Sequence, residues 1–204
     1  PDNPMGTWHG ADAIAALRDA LPADTLLCLD EAYADTAPAD AIGPLDAADG
    51  GVIRLRTFSK AHGLAGLRVG YALGAEPTIA AFDRVREHFG VGRLAQAAAL
   101  ASLGDPGHLA AAVALIAGAR ARIEAIAEAC GLATVPSAAN FVAVDCGRDG
   151  DHARAVLAAC AERGVFLRMP GVAPLDRCVR VTVGRPEHLD LLERVLPEAL
   201  AAAS

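Results

Sequence analysis

Three short apolar runs constrain this chain most: Thr25 to Leu29, Val52 to Arg56 and Leu67 to Leu73. Each is too short for a core-spanning helix, and each is bounded by turn residues, as buried strands are. The first ends in Asp30. An apolar run closed by a polar residue is the mark of a parallel strand whose carboxyl end presents side chains to a site. Helical patterns surround these runs. Ala11 to Leu21 puts Ile14, Leu17 and Leu21 on one face, Glu76 to His88 carries Pro77 in its first turn, and Leu94 to Leu103 resumes helix after Gly90 to Gly92. Strands interleaved with helices predict an α/β architecture.

The second half reads differently. Gly104-Asp105-Pro106-Gly107 marks a linker. An alanine-rich helix from His108 to Cys130 follows, roughly 35 Å long at the usual rise per residue. After Gly131 the pattern is of smaller α+β units. Strands are expected over Asn140 to Val144, Val165 to Arg168 and Cys178 to Val183, and helices over Asp151 to Arg163 and from Pro186 to about Ala203. Two domains are expected, over residues 1–105 and 106–204.

Bulk composition excludes several classes. With 53% hydrophobic and 21% charged residues the chain can bury a core, and its net charge of −7 gives it no general attraction for nucleic acid or anionic membrane. The longest apolar stretches are broken by charge, so none reads as a membrane span. The five cysteines (28, 130, 146, 160, 178) never fall as Cys-x-x-Cys and read as buried thiols in a reducing cytosol. The histidines show no metal-ligand spacing, so no metal site is expected.

Chemistry concentrates in Thr57-Phe58-Ser59-Lys60, followed eight residues later by Arg68. A lysine among hydroxyls, small residues and an arginine suits an amine that forms an imine beside a bound phosphate. Gly63, Gly66 and Gly70 allow close backbone packing without matching a dinucleotide-binding pattern. Three further motifs stand around it: Asn3-Pro4-Met5-Gly6-Thr7, Asp30-Glu31-Ala32-Tyr33 and Cys178-Val179-Arg180-Val181-Thr182.

In order and spacing these motifs resemble the class I/II pyridoxal-phosphate aminotransferases of fold type I, with the greatest likeness to the histidinol-phosphate branch. The resemblance implies an aspartate aminotransferase-like large domain with a mixed, mostly parallel sheet, and a small α+β C-terminal domain. It implies pyridoxal 5'-phosphate as cofactor, with Lys60 as the Schiff-base lysine that also shuttles the substrate proton. Asp30 resembles the aspartate at the pyridine nitrogen, and Tyr33 and Asn3 the pair on the phenolic oxygen. Thr57, Ser59 and Arg68 resemble the phosphate ligands. Arg180 resembles the arginine that forks onto the substrate's anionic group, and Arg168 is a second candidate contact. Glu31, next to Asp30, is expected to point the other way, because side chains alternate in extended chain. The Asn3-Pro4 bond is a candidate cis peptide.

The resemblance further implies transamination between an amino donor, such as a phosphorylated amino alcohol, and a 2-oxo acid, in a cytoplasmic homodimer when full length. An aromatic aminotransferase and a threonine-phosphate decarboxylase keep the same motifs. Arg93 departs from the small polar residues expected of the histidinol-phosphate branch, and Met169-Pro170 departs from them after Arg168. The chain opens inside the family's first motif, which predicts a piece corresponding to the C-terminal half of a typical member. The reading from another class is therefore an inactive piece lacking the N-terminal half. A plain α/β binding module is the third, and it predicts no covalent adduct at Lys60.

Overall fold

The computed structural model describes residues 1–44, 46 and 49–203. The chain divides into two compact units, one formed by Pro1 and Trp8–Val113, the other by Asp2–Thr7 and the chain from Ala114 onward.

The first unit runs α1 (Ala11–Ala20), β1 (Leu27–Asp30), β2 (Val52–Thr57), β3 (Gly70–Gly74), α2 (Glu76–Phe82) and α3 (Arg93–Leu103). Its sheet has the order β1-β2-β3. The β1 and β2 strands are parallel, with Asp30 opposite Leu55, whereas β3 is antiparallel to β2. The sheet is thus mixed, as expected, but the third apolar run is not a parallel strand. Between Thr57 and Gly70 the chain forms only a 3₁₀ turn, Ala65–Leu67. Without a crossover helix it returns along the strand it has just left. The strand also starts later than the run, because Arg68 sits at φ 52° in the left-handed region. Gly70 is needed where β3 begins, since a Cβ there would stand 2.6 Å from the Arg56 carbonyl oxygen.

Two other expectations fail here. The helix expected to reach His88 ends at Phe82. Val85 is 81% and Phe89 96% exposed, so continuing the helix would have buried no apolar face in this unit, and short helices depend on such burial. The β1 strand is not fully buried either: Leu27 and Leu29 are half-buried, while Cys28 and Asp30 are exposed. Cys28 is therefore an exposed thiol, on the face of β1 opposite the half-buried Leu27 and Leu29.

A charge cluster ties β1 to β2. Glu31 stands just past β1, and its backbone N–H extends the ladder to Leu55. Its carboxylate accepts from Arg54 Nε at 2.8 Å and from Arg56 Nε at 2.6 Å. The side chains of Arg54 and Glu31 are only 7% and 12% exposed. Glu31 turns away from Asp30, as alternation requires.

The second unit is α+β. Its strands β4 (Ala133–Val135), β5 (Phe141–Asp145) and β6 (Cys178–Thr182) form an antiparallel sheet, flanked by α4 (Pro106–Ala129), α5 (Gly150–Glu162) and α6 (Pro186–Ala202). The unit boundary falls inside α4. The expected linker shrinks to Gly104 and Asp105, because Pro106 opens α4 and Asp105 Oδ1 caps it by accepting from the His108 N–H at 2.9 Å. Ile123, Val142, Val144, Val156, Cys160, Val179 and Leu196 form the centre of the core.

The expected strand Val165 to Arg168 reduces to one bridge, Arg168 opposite Arg180. The Val165 N–H is taken by the Cys160 carbonyl at the end of α5 and so is lost to a ladder. The β4 strand, by contrast, has no counterpart among the sequence expectations. The cis peptide lies at Ala173-Pro174 and Asn3-Pro4 is trans, contrary to the sequence expectation. Cys146, Cys160 and Cys178 are buried thiols, as read from sequence, and Cys130 is half-buried. Burial pushes the Cys146 and Cys160 thiols up to about 11, so they stay protonated at neutral pH.

Leu196→Ala removes a side chain that is 1% exposed and is expected to cost about 2–5 kcal/mol, read as a lower urea midpoint. Glu31→Gln leaves two guanidiniums without their carboxylate and is expected to cost about 3 kcal/mol in the same assay.

Candidate active site

The first unit gathers six of the sequence candidates around the carboxyl ends of its parallel strands. Asp30 closes β1 and Thr57 closes β2. The exposed Asp30 carboxylate accepts from the Ala32 N–H at 3.0 Å, which turns the chain into the segment carrying Tyr33. Tyr33 is buried at 6% exposure. Lys60 Nζ lies 5.0 Å from the centroid of the Tyr33 ring, within cation–π range. Lys60 is also the sole lysine of the chain.

The loop after β2 organises hydroxyls and a guanidinium. Thr57 Oγ1 accepts from the Ser59 N–H at 3.0 Å. Arg68 Nη1 lies 3.4 Å from Ser59 Oγ and donates to the Ala65 carbonyl at 2.8 Å. Phe58, between these residues, points into the core, with its ring 4.8 Å from that of His62 and 5.5 Å from that of Tyr71. Alternation along the loop thus separates an apolar anchor from polar groups that suit an oxyanion.

The second unit holds the other three. The turn carrying Asn3 is closed by the Asp2 N–H to the Thr7 carbonyl at 2.8 Å and tied to the strand-entry loop by the Ala138 N–H to the Gly6 carbonyl at 2.9 Å. Arg180, central in β6, donates through Nη1 to Asn3 Oδ1, and its guanidinium carbon stands 4.9 Å from the Phe141 ring centroid. Arg180 Nε is buried with no hydrogen-bond partner. A buried guanidinium donor left open calls for an acceptor. Arg168 is exposed and faces Arg180 through backbone pairing, its N–H to the Arg180 carbonyl at 3.3 Å and the reverse bond at 2.5 Å. Arg93 is exposed at the first residue of α3.

Sequence reasoning overlooked the charged layer beside Lys60. Asp35 Oδ1 stands 3.8 Å from Arg56 Nη1, and its Oδ2 stands 3.9 Å from His62 Nε2. His62 Nδ1 is 2.7 Å from Ser102 Oγ on α3. The available signal was Arg54 and Arg56, two apart on one face of a strand expected to be apolar, which demand a nearby carboxylate.

Comparison with known proteins places the chain in a family. Residues 1–196 match the family model for aminotransferases of class I and II. A histidinol-phosphate aminotransferase of Pseudomonas aeruginosa is 41% identical over 98% of this chain and 54% of its own length. An aromatic amino acid aminotransferase of Rhodococcus jostii is 42% identical over 93% of this chain and 51% of its own length. The crystal structure of the histidinol-phosphate aminotransferase of Sinorhizobium meliloti with pyridoxal 5'-phosphate superposes with a TM-score of 0.96 at 50% identity, covering 100% of this chain and 56% of that one. The chain therefore spans about half the length of the relatives it matches. With a family match over nearly its full length and the aspartate aminotransferase fold, the chain belongs to the class I and II aminotransferases.

Proposed function

We propose that this chain carries the cofactor lysine and the substrate arginine of a pyridoxal-phosphate-dependent aminotransferase, with a histidinol-phosphate-like amino donor and a 2-oxo acid as substrates. The observation that carries this reading is the sole lysine standing over a buried tyrosine ring, on a loop whose hydroxyls and guanidinium converge. The residues present fit the cofactor. Thr57, Ser59 and Arg68 suit its phosphate, and the open Nε of Arg180 suits a substrate carboxylate or phosphate.

Bound there, pyridoxal 5'-phosphate would supply an aldehyde for the lysine and a ring that withdraws electrons from the substrate α-carbon. Asp30 would hold a proton at the pyridine nitrogen. Tyr33 and Asn3 would hydrogen-bond the phenolic oxygen. Since Asn3 Oδ1 already accepts from Arg180, its amide N–H is the group left to donate. Lys60, released as a free amine, would take the proton from the substrate carbon and return it to the cofactor. Arg180 would fork onto the substrate anion, with Arg168 as a second contact. Two half-reactions sharing one cofactor give ping-pong kinetics.

An aromatic amino donor is the second reading, favoured by the aromatic aminotransferase relative at 42% identity. Substrate screening on the full-length protein separates the two. Homodimer assembly and a cytoplasmic location belong to the same proposal. Among the described residues no helix is long and apolar enough to cross a membrane.

Pyridoxal phosphate followed by borohydride should add one adduct to the purified chain, mapped to Lys60 by mass spectrometry and absent in Lys60→Ala. Labelling that spares Lys60 would sink the proposal. In the full-length protein, Arg180→Lys should lower kcat/KM on the order of 100-fold, mainly through KM, because an ammonium cannot reproduce the fork. Unchanged kinetics would remove Arg180 from the substrate site.

A further inference from the structure

We propose that His62 is a positioning residue for Lys60, an inference that rests on Lys60 being the cofactor lysine. The two residues share one turn. The Gly63 N–H donates to the Lys60 carbonyl at 2.9 Å, and the Leu64 N–H to the Phe58 carbonyl at 2.8 Å. Gly63 takes φ +73°, which closes the turn tightly. These bonds shape the turn but do not fix where it sits.

His62 supplies that placement. The residue is 7% exposed, and its polar atoms reach two other segments of the unit. Nδ1 lies 2.7 Å from Ser102 Oγ, in the last turn of α3. Nε2 faces Asp35, 3.9 Å away, in the 3₁₀ turn that begins directly after Tyr33. The neutral tautomer that serves both neighbours has Nδ1 accepting from the Ser102 hydroxyl and Nε2–H directed at the carboxylate. One ring therefore ties the lysine turn to α3 and to the segment carrying the tyrosine over which Lys60 stands. Asp35 is itself held by Arg56, which shares Glu31 with Arg54, so the ring is anchored to the sheet as well.

A histidine that merely filled space beside Phe58 would be replaceable by phenylalanine, and that substitution is the discriminating test. Reductive methylation with isotope-labelled formaldehyde marks Lys60, the sole lysine of residues 1–204, and its methyl resonance is assigned by its loss in Lys60→Arg. The methyl resonance of Lys60 then reports its place over the Tyr33 ring through the ring current. His62→Phe should move this resonance to the free-lysine position and reduce pyridoxal-phosphate labelling of Lys60 on the order of tenfold at limiting reagent. His62→Asn, which restores a polar atom near Nδ1, should retain most of both signals. Ser102→Ala breaks the same link from the other side and should shift the resonance in the same direction, even if His62→Phe fails to fold.

A wild-type resonance and wild-type labelling in folded His62→Phe would overturn the proposal. So would an unshifted resonance in Ser102→Ala, or a His62→Asn chain that folds yet behaves like His62→Phe. If the wild-type chain takes no adduct while its Lys60 resonance still responds to His62→Phe, the cofactor reading of Lys60 fails and the coupling of the two residues stands.

Discussion

The Glu31 carboxylate lies between the guanidiniums of Arg54 and Arg56, and the first unit is organised by that contact. A buried Arg54 and a half-buried Arg56 on one face of a strand need carboxylate partners. Glu31 stands just past β1 and both arginines stand on β2, so satisfying the charges brings the ends of the parallel strands together. The same contact sets the register that puts Asp30 opposite Leu55, two residues before Thr57. The Tyr33 turn and the Lys60 turn are then neighbours. Asp35 and His62 extend the layer from Arg56 to α3, and the lysine loop is held at several points without a helix of its own.

The second unit solves a related problem by different means. Arg180 stands between Val179 and Val181 and opposite Ala143 of β5, and part of its charge is spread over the Phe141 ring while Asn3 takes one of its donors. Its Nε remains open in a buried place. A structure tolerates such an atom where a ligand completes it, and this is why Arg180 is the strongest substrate-binding candidate of the unit. Asn3 is distant in sequence but belongs to this unit, because the Asp2 to Thr7 turn is bonded to Ala138.

Exposed apolar side chains mark where burial in the described residues stops. Val85, Phe89 and Leu94 are each more than three-quarters exposed, and they run from the turns after α2 into the start of α3. The chain spans 54–56% of the lengths of its relatives in Pseudomonas aeruginosa and Sinorhizobium meliloti. Catalysis is accordingly a property to be tested on the full-length protein.

Much of the fold is legible in the residue order alone. Apolar runs and helical periodicity place α1, β1, β2, β5, β6 and α3 to α6 to within a few residues, because both signals are local. The opposed directions of Asp30 and Glu31 follow from alternation alone. Other features depend on contacts between distant residues. The reversal of β3 follows from the lack of a crossover helix, and the loss of the strand at Val165 from competition by the Cys160 carbonyl for its N–H. The retreat of α2 follows from a missing apolar partner. The identities of Lys60, Asp30 and Arg180 as candidates come from residue type and order, which are local. The pairing of Glu31 with two arginines, the bridge from His62 to Ser102, and the open Nε of Arg180 come from packing, which brings side chains together across dozens of residues and which no one-dimensional pattern records.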